Sequence, residues 1–597
     1  MLDKLDNRYS SFEYLAASNN KKDIKNALQI LNEIKILDPA CGSGAFLIKA
    51  SDIIFGLKRR LYYELKEKKN YYDLRLDIIT SNIYGVDILS GAVEISKLRL
   101  WLWLISDYDS NSEVEPLPNI EYNLMQGNSL IGFTSFKGKL IEVSKKIVEK
   151  TLRFEELKQE YKKSHGKKSE LLRSLIEKEM KSVRTELNSL FIQDLNSRGL
   201  NIFKTKKEIQ VNFFGKKANN SVKHVYIDEF ENTLHPFHWV LEFSEIFKGN
   251  QPGFDVIIGN PPYGNILKDT EKIVISTYVT ANASEIAANF IERSINLMKT
   301  PSEIGLIVAN SICINKSTNT CRQFLKASLE ECKFALFGTR PAKIFEDAEI
   351  RAMILLGKKS SSTCHNPIFT TEAIKFTQKQ KDTLLNDLCF ENTEGLELGE
   401  NEIGDGTDTS LPKVGNEVIR NILIKLRNKS KITFNNVLTS KSNIYLELRK
   451  TGGYWLNALE NMPYDSTKIE RMYFENELYR DFAIILINSS TFYLYWSTYG
   501  NLRDLPPQMF YKFPAPSLEF LNSNKQEINL LRKEIEKKLL KYFESETGRV
   551  GEFRTAKCKD AIDKIDKLIS KFYGFSENEV KYIISYDSHI RPNNSGC

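Results

Sequence analysis

The residues best placed to do chemistry stand in two short, widely separated stretches. The first is Asp38-Pro39-Ala40-Cys41-Gly42-Ser43-Gly44, which follows the apolar run Ile34 to Leu37 and precedes a helical pattern starting at Ala45. Gly42 and Gly44 let the backbone pass close to a ligand where a Cβ would clash. The start of the following helix offers unpaired amide donors and a positive dipole end, both suited to a carboxylate. Asp87 ends the apolar strand Ile83 to Val86, where an acidic side chain would accept from ribose hydroxyls. Asn128, in Gly127-Asn128-Ser129-Leu130, can read the edge of an adenine ring, with Leu130 and Ile131 as an apolar wall. Together these residues suit a nucleoside-bearing cofactor. The second stretch is Asn260-Pro261-Pro262-Tyr263-Gly264, just after the strand pattern Phe254 to Ile258. Its paired prolines fix φ and stiffen the loop.

Such loops need elements to aim them. Strand patterns at Ile34–Leu37, Ile83–Val86, Tyr122–Met125 and Phe254–Ile258 alternate with helical ones at Ala45–Leu61, Ala92–Ile105 and Ser284–Met298. Gly305–Val308, Phe334–Phe337 and Ala352–Leu356 are further strand candidates. The alternation predicts an α/β fold with a doubly wound, Rossmann-like parallel sheet. It breaks at Lys137 to about Asn196, a Lys-, Glu- and Leu-rich stretch with sparse apolar positions at Leu152, Leu157, Leu171, Leu175 and Leu187. That stretch reads as a helical hairpin or short coiled coil acting as a solvated spacer, within an insertion of about 134–235. Ser360 to Pro367 reads as a linker, which sets a boundary between 1–365 and 366–597. Beyond it the pattern is one of short strands, aromatics and turns, ending in helices at Lys525–Phe543 and Lys557–Phe572.

Composition narrows the classes without choosing among them. The chain is 41% hydrophobic and 27% charged, ordinary for a folded protein able to bury a core. A formal charge of +7 permits nucleic-acid binding through local basic faces. No run of about 18 apolar residues occurs, which speaks against a membrane span. The eight cysteines form no CxxC pair, which argues for a reducing compartment and against structural zinc. His235 and His238 have no carboxylate or cysteine at ligand spacing, so no metal site is expected.

DPACGSGAFL resembles motif I of the amino-methyltransferases, and NPPYG resembles their motif IV. Their order, followed by a long C-terminal region, is similar to the gamma-class N6-adenine DNA methyltransferases of the type II/IIG restriction–modification methylase family. GVDIL (Gly85 to Leu89), GNSL (Gly127 to Leu130), HWVLEFSEIF (His238 to Phe247) and FIERSINLMK (Phe290 to Lys299) agree with that likeness. The resemblance covers roughly the whole chain and is strongest from Ile34 to Lys359. It implies S-adenosyl-L-methionine as cofactor, held by Asp38, Pro39, Ala40, Cys41, Gly42, Ser43, Gly44, Asp87 and Asn128. It implies catalysis by Asn260, Pro261, Pro262 and Tyr263 on double-stranded DNA with a flipped adenine. Residues 1–365 would be the methyltransferase catalytic domain, and 366–597 an α+β target-recognition domain with C-terminal helices.

The chemistry implied is amine methylation. The adenine N6 lone pair is delocalised into the ring, and two acceptors aimed at its hydrogens would localise it. The Asn260 side-chain oxygen and the Pro261 carbonyl are those acceptors, and Tyr263 would stack on the extruded base. The loop has no cysteine, which argues against carbon-5 cytosine methylation, and cytosine-N4 enzymes more often place Ser first. Arg449, Lys450, Tyr454 and Trp455 around one glycine turn, and Tyr499, Asn501, Arg503 and Gln508 in another loop, are candidates for reading base edges. Two features depart from the family. Motif I begins at Asp38, which leaves no room for an N-terminal PD-(D/E)xK nuclease, and the upstream Tyr-Thr-Pro sequence is missing. A separate nuclease or N-terminal subunit is therefore an expected partner, and an inactive specificity subunit is one alternative. The other is an NPPY methyltransferase acting on protein glutamine or RNA guanine, which the length beyond Lys359 disfavours.

Overall fold

The computed structural model describes residues 11–18, 20–106, 118–135, 153–162, 164, 166–200, 203–204, 225–226, 230–346, 349–361, 366–429, 432–544 and 551–591. The chain forms two compact units. One comprises 1–308, 327–330 and 356–364, and the other 309–326, 331–355 and 365–597. Residues 309–326 and 331–355, placed by sequence before the boundary at 365, group with the C-terminal residues.

The first unit is built on five parallel strands: β1 (Ile36–Asp38), β2 (Ile83–Asp87), β3 (Leu124–Gln126), β4 (Phe254–Gly259) and β5 (Met298–Ala309). β1 pairs with β2 and β4, β2 with β3, and β4 with β5, giving the order 3-2-1-4-5. The chain winds away from β1 to one side, then returns to its other side at β4. That reversal is a topological switch point, and ligands of such sheets bind beyond the carboxyl ends of the strands there. The loops after β1 and β4 leave that same edge side by side.

The helices that matter are α1 (Phe12–Ala17), α2 (Lys21–Glu33), α3 (Ala45–Glu64), α4 (Tyr71–Ser81), α5 (Ser90–Ile105), α6 (Lys167–Ser197), α7 (Asp269–Ile275) and α8 (Ile286–Leu297). Ile36 and Ile83 pack with Leu47, Ile54 and Phe55 of α3, Ile78 of α4, and Leu100 and Trp103 of α5. Tyr84, the next residue along β2, points to the opposite face and meets Phe243 and Phe254 with ring centroids at 5.3 and 5.6 Å. Both faces of the sheet are therefore covered, as a doubly wound fold requires. Each fully buried aliphatic or aromatic side chain adds roughly 1.5–3 kcal/mol.

The insertion is not a solvated spacer. α6 buries Leu172, Ile176, Met180, Val183, Leu187, Phe191 and Leu195 against Phe133, Phe230 and Val240. Leu171 and Leu175, two of the expected apolar positions, face solvent instead. Leu187 packs as the pattern expects, whereas the neighbours Leu172 and Ile176 take the places expected of Leu171 and Leu175. Leu157 packs partly against the same core, and Leu152 lies outside the described residues.

The second unit is α+β. Ile368–Ile374 pairs in parallel with Glu331–Phe337, and a separate four-stranded antiparallel sheet contains Ile444–Arg449 and Ile469–Phe474. Helices Glu477–Ile487 and Ser490–Tyr499 are buried nearly all round, as befits elements at the centre of a core. Lys525–Lys541 and Lys559–Tyr573 pack their apolar stripes onto that core.

Candidate active site

The loop after β1 is braced from several sides. Asp38 is 1% exposed, and its Oδ1 accepts from the Ala40 N–H at 3.0 Å, which bends the chain out of the strand. Burial pushes its carboxyl up to about 7, against the pull of that N–H and with Asp87's charge adding. Gly42, at φ +52, donates its N–H to Asp87 Oδ2 at 2.9 Å, and a Cβ there would meet nothing within 4 Å. Gly44, at φ +80, sits so close to α5 that a Cβ would lie 2.6 Å from Ser96 Oγ. The Ser96 hydroxyl donates to Gly42 O (2.9 Å), Arg99 to Ser43 O (3.0 Å), and Ser129 to Pro39 O (2.6 Å). No side chain caps α3, so its first amides are left for a ligand.

This donor set fits a cofactor carrying a carboxylate and a ribose. Asp87 Oδ1 accepts from Leu89 N (2.9 Å) while Oδ2 holds Gly42. An ionised carboxylate has about four lone-pair positions, so capacity for hydroxyl donors remains. Cys41 is buried and burial drives its thiol upward, which makes it packing rather than a nucleophile.

The loop after β4 is held at its ends. Gly259 passes so close to β1 that a Cβ would lie 2.6 Å from Asp38 Oδ1. At the far end Gly264 N donates to Glu285 Oε2 (3.1 Å) and Gly264 O accepts from Ile286 N (3.0 Å), so the first turn of α8 clamps the loop. Pro261 is buried, while Asn260, Pro262 and Tyr263 are half-buried. The Tyr263 hydroxyl donates to Asn260 Oδ1 and lies 3.4 Å from Ile307 O. Burial pushes its phenol up to about 12, with Glu285's charge adding, so it stays a proton donor. The acceptor proposed for the substrate amine is thus occupied by the loop's own tyrosine.

Asn128 departs from the sequence reading. It is 7% exposed, its Nδ2 donates to Glu271 Oε1 (3.0 Å), and its Oδ1 accepts from Leu130 N (3.1 Å). One amide hydrogen and one lone pair of Oδ1 are left for an adenine edge, while the other pair of bonds shapes the residue's own loop. Leu130 is also tied down, its carbonyl accepting from Tyr278 OH and Arg293 Nη2, both at 2.6 Å. His238 is buried with both ring nitrogens engaged, Nδ1 accepting from Phe133 N (3.2 Å) and Nε2 facing Asn188 Oδ1 (2.9 Å). A cavity of about 430 Å³ lies between α5, β3 and α6, lined by Val93, Tyr122, Met125 and Met180, but neither loop contributes to it. Ser96, Arg99 and Glu285 had no sequence signal, being ordinary polar residues outside either loop, and Ser129 stood within Gly127–Leu130 with no role assigned to it.

In the second unit, the candidates for base contact divide sharply. Tyr499 is 2% exposed with its hydroxyl on Leu396 O (2.7 Å), and Arg591 stacks 3.9 Å over Trp455. Lys450 pairs with Glu470 and Arg449 donates to Thr451, whereas Tyr454, Arg503 and Gln508 are exposed.

A parallel sheet of order 3-2-1-4-5, with a glycine loop after β1 and Asn-Pro-Pro-Tyr after its neighbour β4, defines an α/β methyltransferase domain that uses S-adenosylmethionine. Residues 81–345 match the family model of the Eco57I restriction-modification methylase, and residues 14–124 that of the MmeI DNA-methyltransferase domain. Over those residues the chain is similar to restriction–modification methylases. A Methanocaldococcus jannaschii protein described as a type II restriction enzyme and methyltransferase is 33% identical over 423 residues, 63% of this chain and 34% of that one. DNA methyltransferase A of Bacillus subtilis is 31% identical over 114 residues, 19% of this chain and 12% of that one. This chain thus spans about a third of the archaeal relative's length. The type IIL restriction-modification enzyme MmeI, solved in complex with DNA, aligns over 98% of this chain and 75% of its own, with 12% identity and a TM-score of 0.47.

Proposed function

We propose that this chain methylates the N6 amine of adenine in double-stranded DNA, as the modification activity of a restriction–modification system. The observation that carries the reading is the juxtaposition of two loops at one switch point, with Gly259 of the catalytic strand against Asp38 of the cofactor loop. The open start of α3 would hold the cofactor's carboxylate, and the remaining lone pairs of Asp87 its ribose hydroxyls. When bound, S-adenosylmethionine supplies an electrophilic methyl group. Asn260 Oδ1 and the Pro261 carbonyl would accept hydrogen bonds from the two amine hydrogens, localising the lone pair that attacks the methyl carbon as the carbon–sulfur bond breaks. One of those hydrogens then leaves the methylated amine as a proton. Tyr263 releases Asn260 as the base arrives and stacks on it. The preference for adenine over cytosine rests on Asn rather than Ser at position 260. The archaeal relative's description joins a restriction enzyme to a methyltransferase, which supports a nuclease activity working alongside this methylation.

The test is incubation of the purified protein with labelled S-adenosylmethionine and mixed-sequence duplex DNA, followed by nucleoside analysis. N6-methyladenine is expected, and Asn260→Ala removes it. N4-methylcytosine would reassign the base, and label in RNA or protein alone would refute the reading.

A further inference from the structure

Leu502 stands at φ +62, a left-handed conformation that bulky side chains rarely adopt. The surrounding structure imposes it. Asn501 Oδ1 accepts from Arg503 N (2.9 Å) and Asp504 N (2.8 Å), and Asn501 Nδ2 donates to Asp504 Oδ2 (3.2 Å). The loop is then stitched to the one before it. Gly452 N donates to Arg503 O and Leu505 N to Lys450 O, both at 2.7 Å, while the Trp496 indole donates to Asp504 O at 2.9 Å. Only glycine fits at position 452, because a Cβ would lie 2.2 Å from the Trp496 ring. Strain of this kind persists where a structure over-determines it, and it gathers at functional sites.

The surroundings of this strained tip say what it meets. Leu502, Tyr454 and Arg340 line a cavity of about 60 Å³ whose floor includes the buried Tyr493 and Trp496. That is room for about two waters, so no nucleobase enters it and any ligand meets the loop from outside. Tyr454 is 37% exposed, and Arg340 and Arg503 are exposed. Neither arginine is ion-paired among the described residues. Arg351 lies close enough to Arg503 that, after burial, its like charge is the next influence holding Arg351 below the usual guanidinium range. Asp504 and Glu349 offset part of that positive charge on Arg351, but Arg340 and Arg503 stay exposed without an ion pair among the described residues. An apolar tip rigidly presented beside them suits a polyanion whose stacked core an apolar wedge can open.

We propose that Leu502 is a wedge that enters a base step of bound duplex DNA, with Arg503 and Arg340 on the neighbouring phosphates. The proposal rests on the DNA-methylating reading above. A leucine that merely roofs Tyr493 and Trp496 would leave DNA binding untouched when trimmed, so glycine at this position is the discriminating change. Glycine takes φ +62 without strain, which offsets its greater freedom in the unfolded chain and the lost leucine contacts, so Leu502→Gly should unfold close to the parent's temperature.

The experiment takes the duplex that the wild-type protein methylates and scans 2-aminopurine through it. Wild-type binding should raise the fluorescence at one step. Leu502→Gly should abolish that rise and weaken binding about tenfold. An abasic nucleotide at the same step should restore Leu502→Gly binding to within about threefold of wild type, since the stack is already open there. Arg503→Ala should weaken binding without abasic rescue and with a shallower salt dependence. Binding by Leu502→Gly equal to wild type, or a loss that the abasic site does not repair, overturns the wedge. Wild-type protein that modifies RNA or protein but not DNA removes the underlying reading first, and is seen in the nucleoside analysis rather than in the scan.

Discussion

The two loops at the carboxyl edge of the sheet are held in opposite ways. The loop after β1 is braced by its neighbours, with Asp87, Ser96, Arg99 and Ser129 each bonded to its backbone. The loop after β4 is clamped at its ends, and its middle rests on Tyr263, which bonds Asn260 and reaches Ile307 O at 3.4 Å. The first can keep one shape with or without ligand. The second must exchange a partner before it can serve a substrate. A fully buried unsatisfied amide oxygen costs roughly 1–3 kcal/mol and a half-buried one such as Asn260 Oδ1 less, and the tyrosine removes that cost until a donor from the substrate replaces it.

The strongest way to separate the loops is Asn260→Ala. Loss of a preorganised hydrogen-bonding group at a reacting centre lowers turnover about 10²–10³-fold. Calorimetric affinity for S-adenosylmethionine should not change, and an equal loss of affinity would break the division between the loops. Next comes Asp38→Asn, which asks whether the first loop needs charge or only an acceptor. The folded pKa of Asp38, about 7, lies above the ordinary carboxylate value of 3.8, so the folded chain binds this proton more tightly than the unfolded one. Its contribution is fully present below about pH 4 and is lost as pH rises through about 7. Asparagine keeps the oxygen that receives Ala40 N–H, so the variant should be more stable than wild type at pH 8, by on the order of a few kcal/mol. The gain should shrink at pH 4 in denaturant unfolding, and a gain that grows on acidification would show the sign to be wrong.

Asp87→Ala releases the Gly42 and Leu89 amides together. Bonds to a charged group contribute about 1.5–3 kcal/mol, so cofactor affinity should fall about 10- to 100-fold. Turnover at saturating cofactor should stay near wild type, and a selective loss of turnover would instead tie Asp87 to the second loop. The smallest effect belongs to Tyr263→Phe. It keeps the ring for stacking and frees Asn260 Oδ1 from its internal donor, so turnover should change by no more than about fivefold, whereas Tyr263→Ala should lose about tenfold or more. A phenylalanine variant as inactive as alanine would show that the hydroxyl itself is needed in the reaction.

These loops also differ in how far they could be read from residue order. The glycines, the strand before each loop and the helix starting at Ala45 are local features, and the structure places them within a residue or two of where the patterns predict. The bracing was not legible. Asn128 looks free for an adenine edge until α7 brings Glu271, 143 positions away, onto its amide. Tyr499 looks like a loop aromatic until its helix proves buried throughout. In α6 the sparse leucines marked a helix and Leu187 its buried face, but Leu172 and Ile176 pack where Leu171 and Leu175 stood out.

The sequence by itself determined the α/β alternation, the two loops and the residue types in them, because strand runs, helix periods and glycine or proline turns are set by neighbours a few positions apart. Only the tertiary structure decided that β1 and β4 lie side by side, and that Asp38 is buried against Gly259 rather than turned outward. It alone parked Tyr263 on Asn260 and left Leu502 strained beside arginines that have no ion pair among the described residues. Those are relations between residues distant in the chain, set by strand order and side-chain packing, which local spacing does not encode.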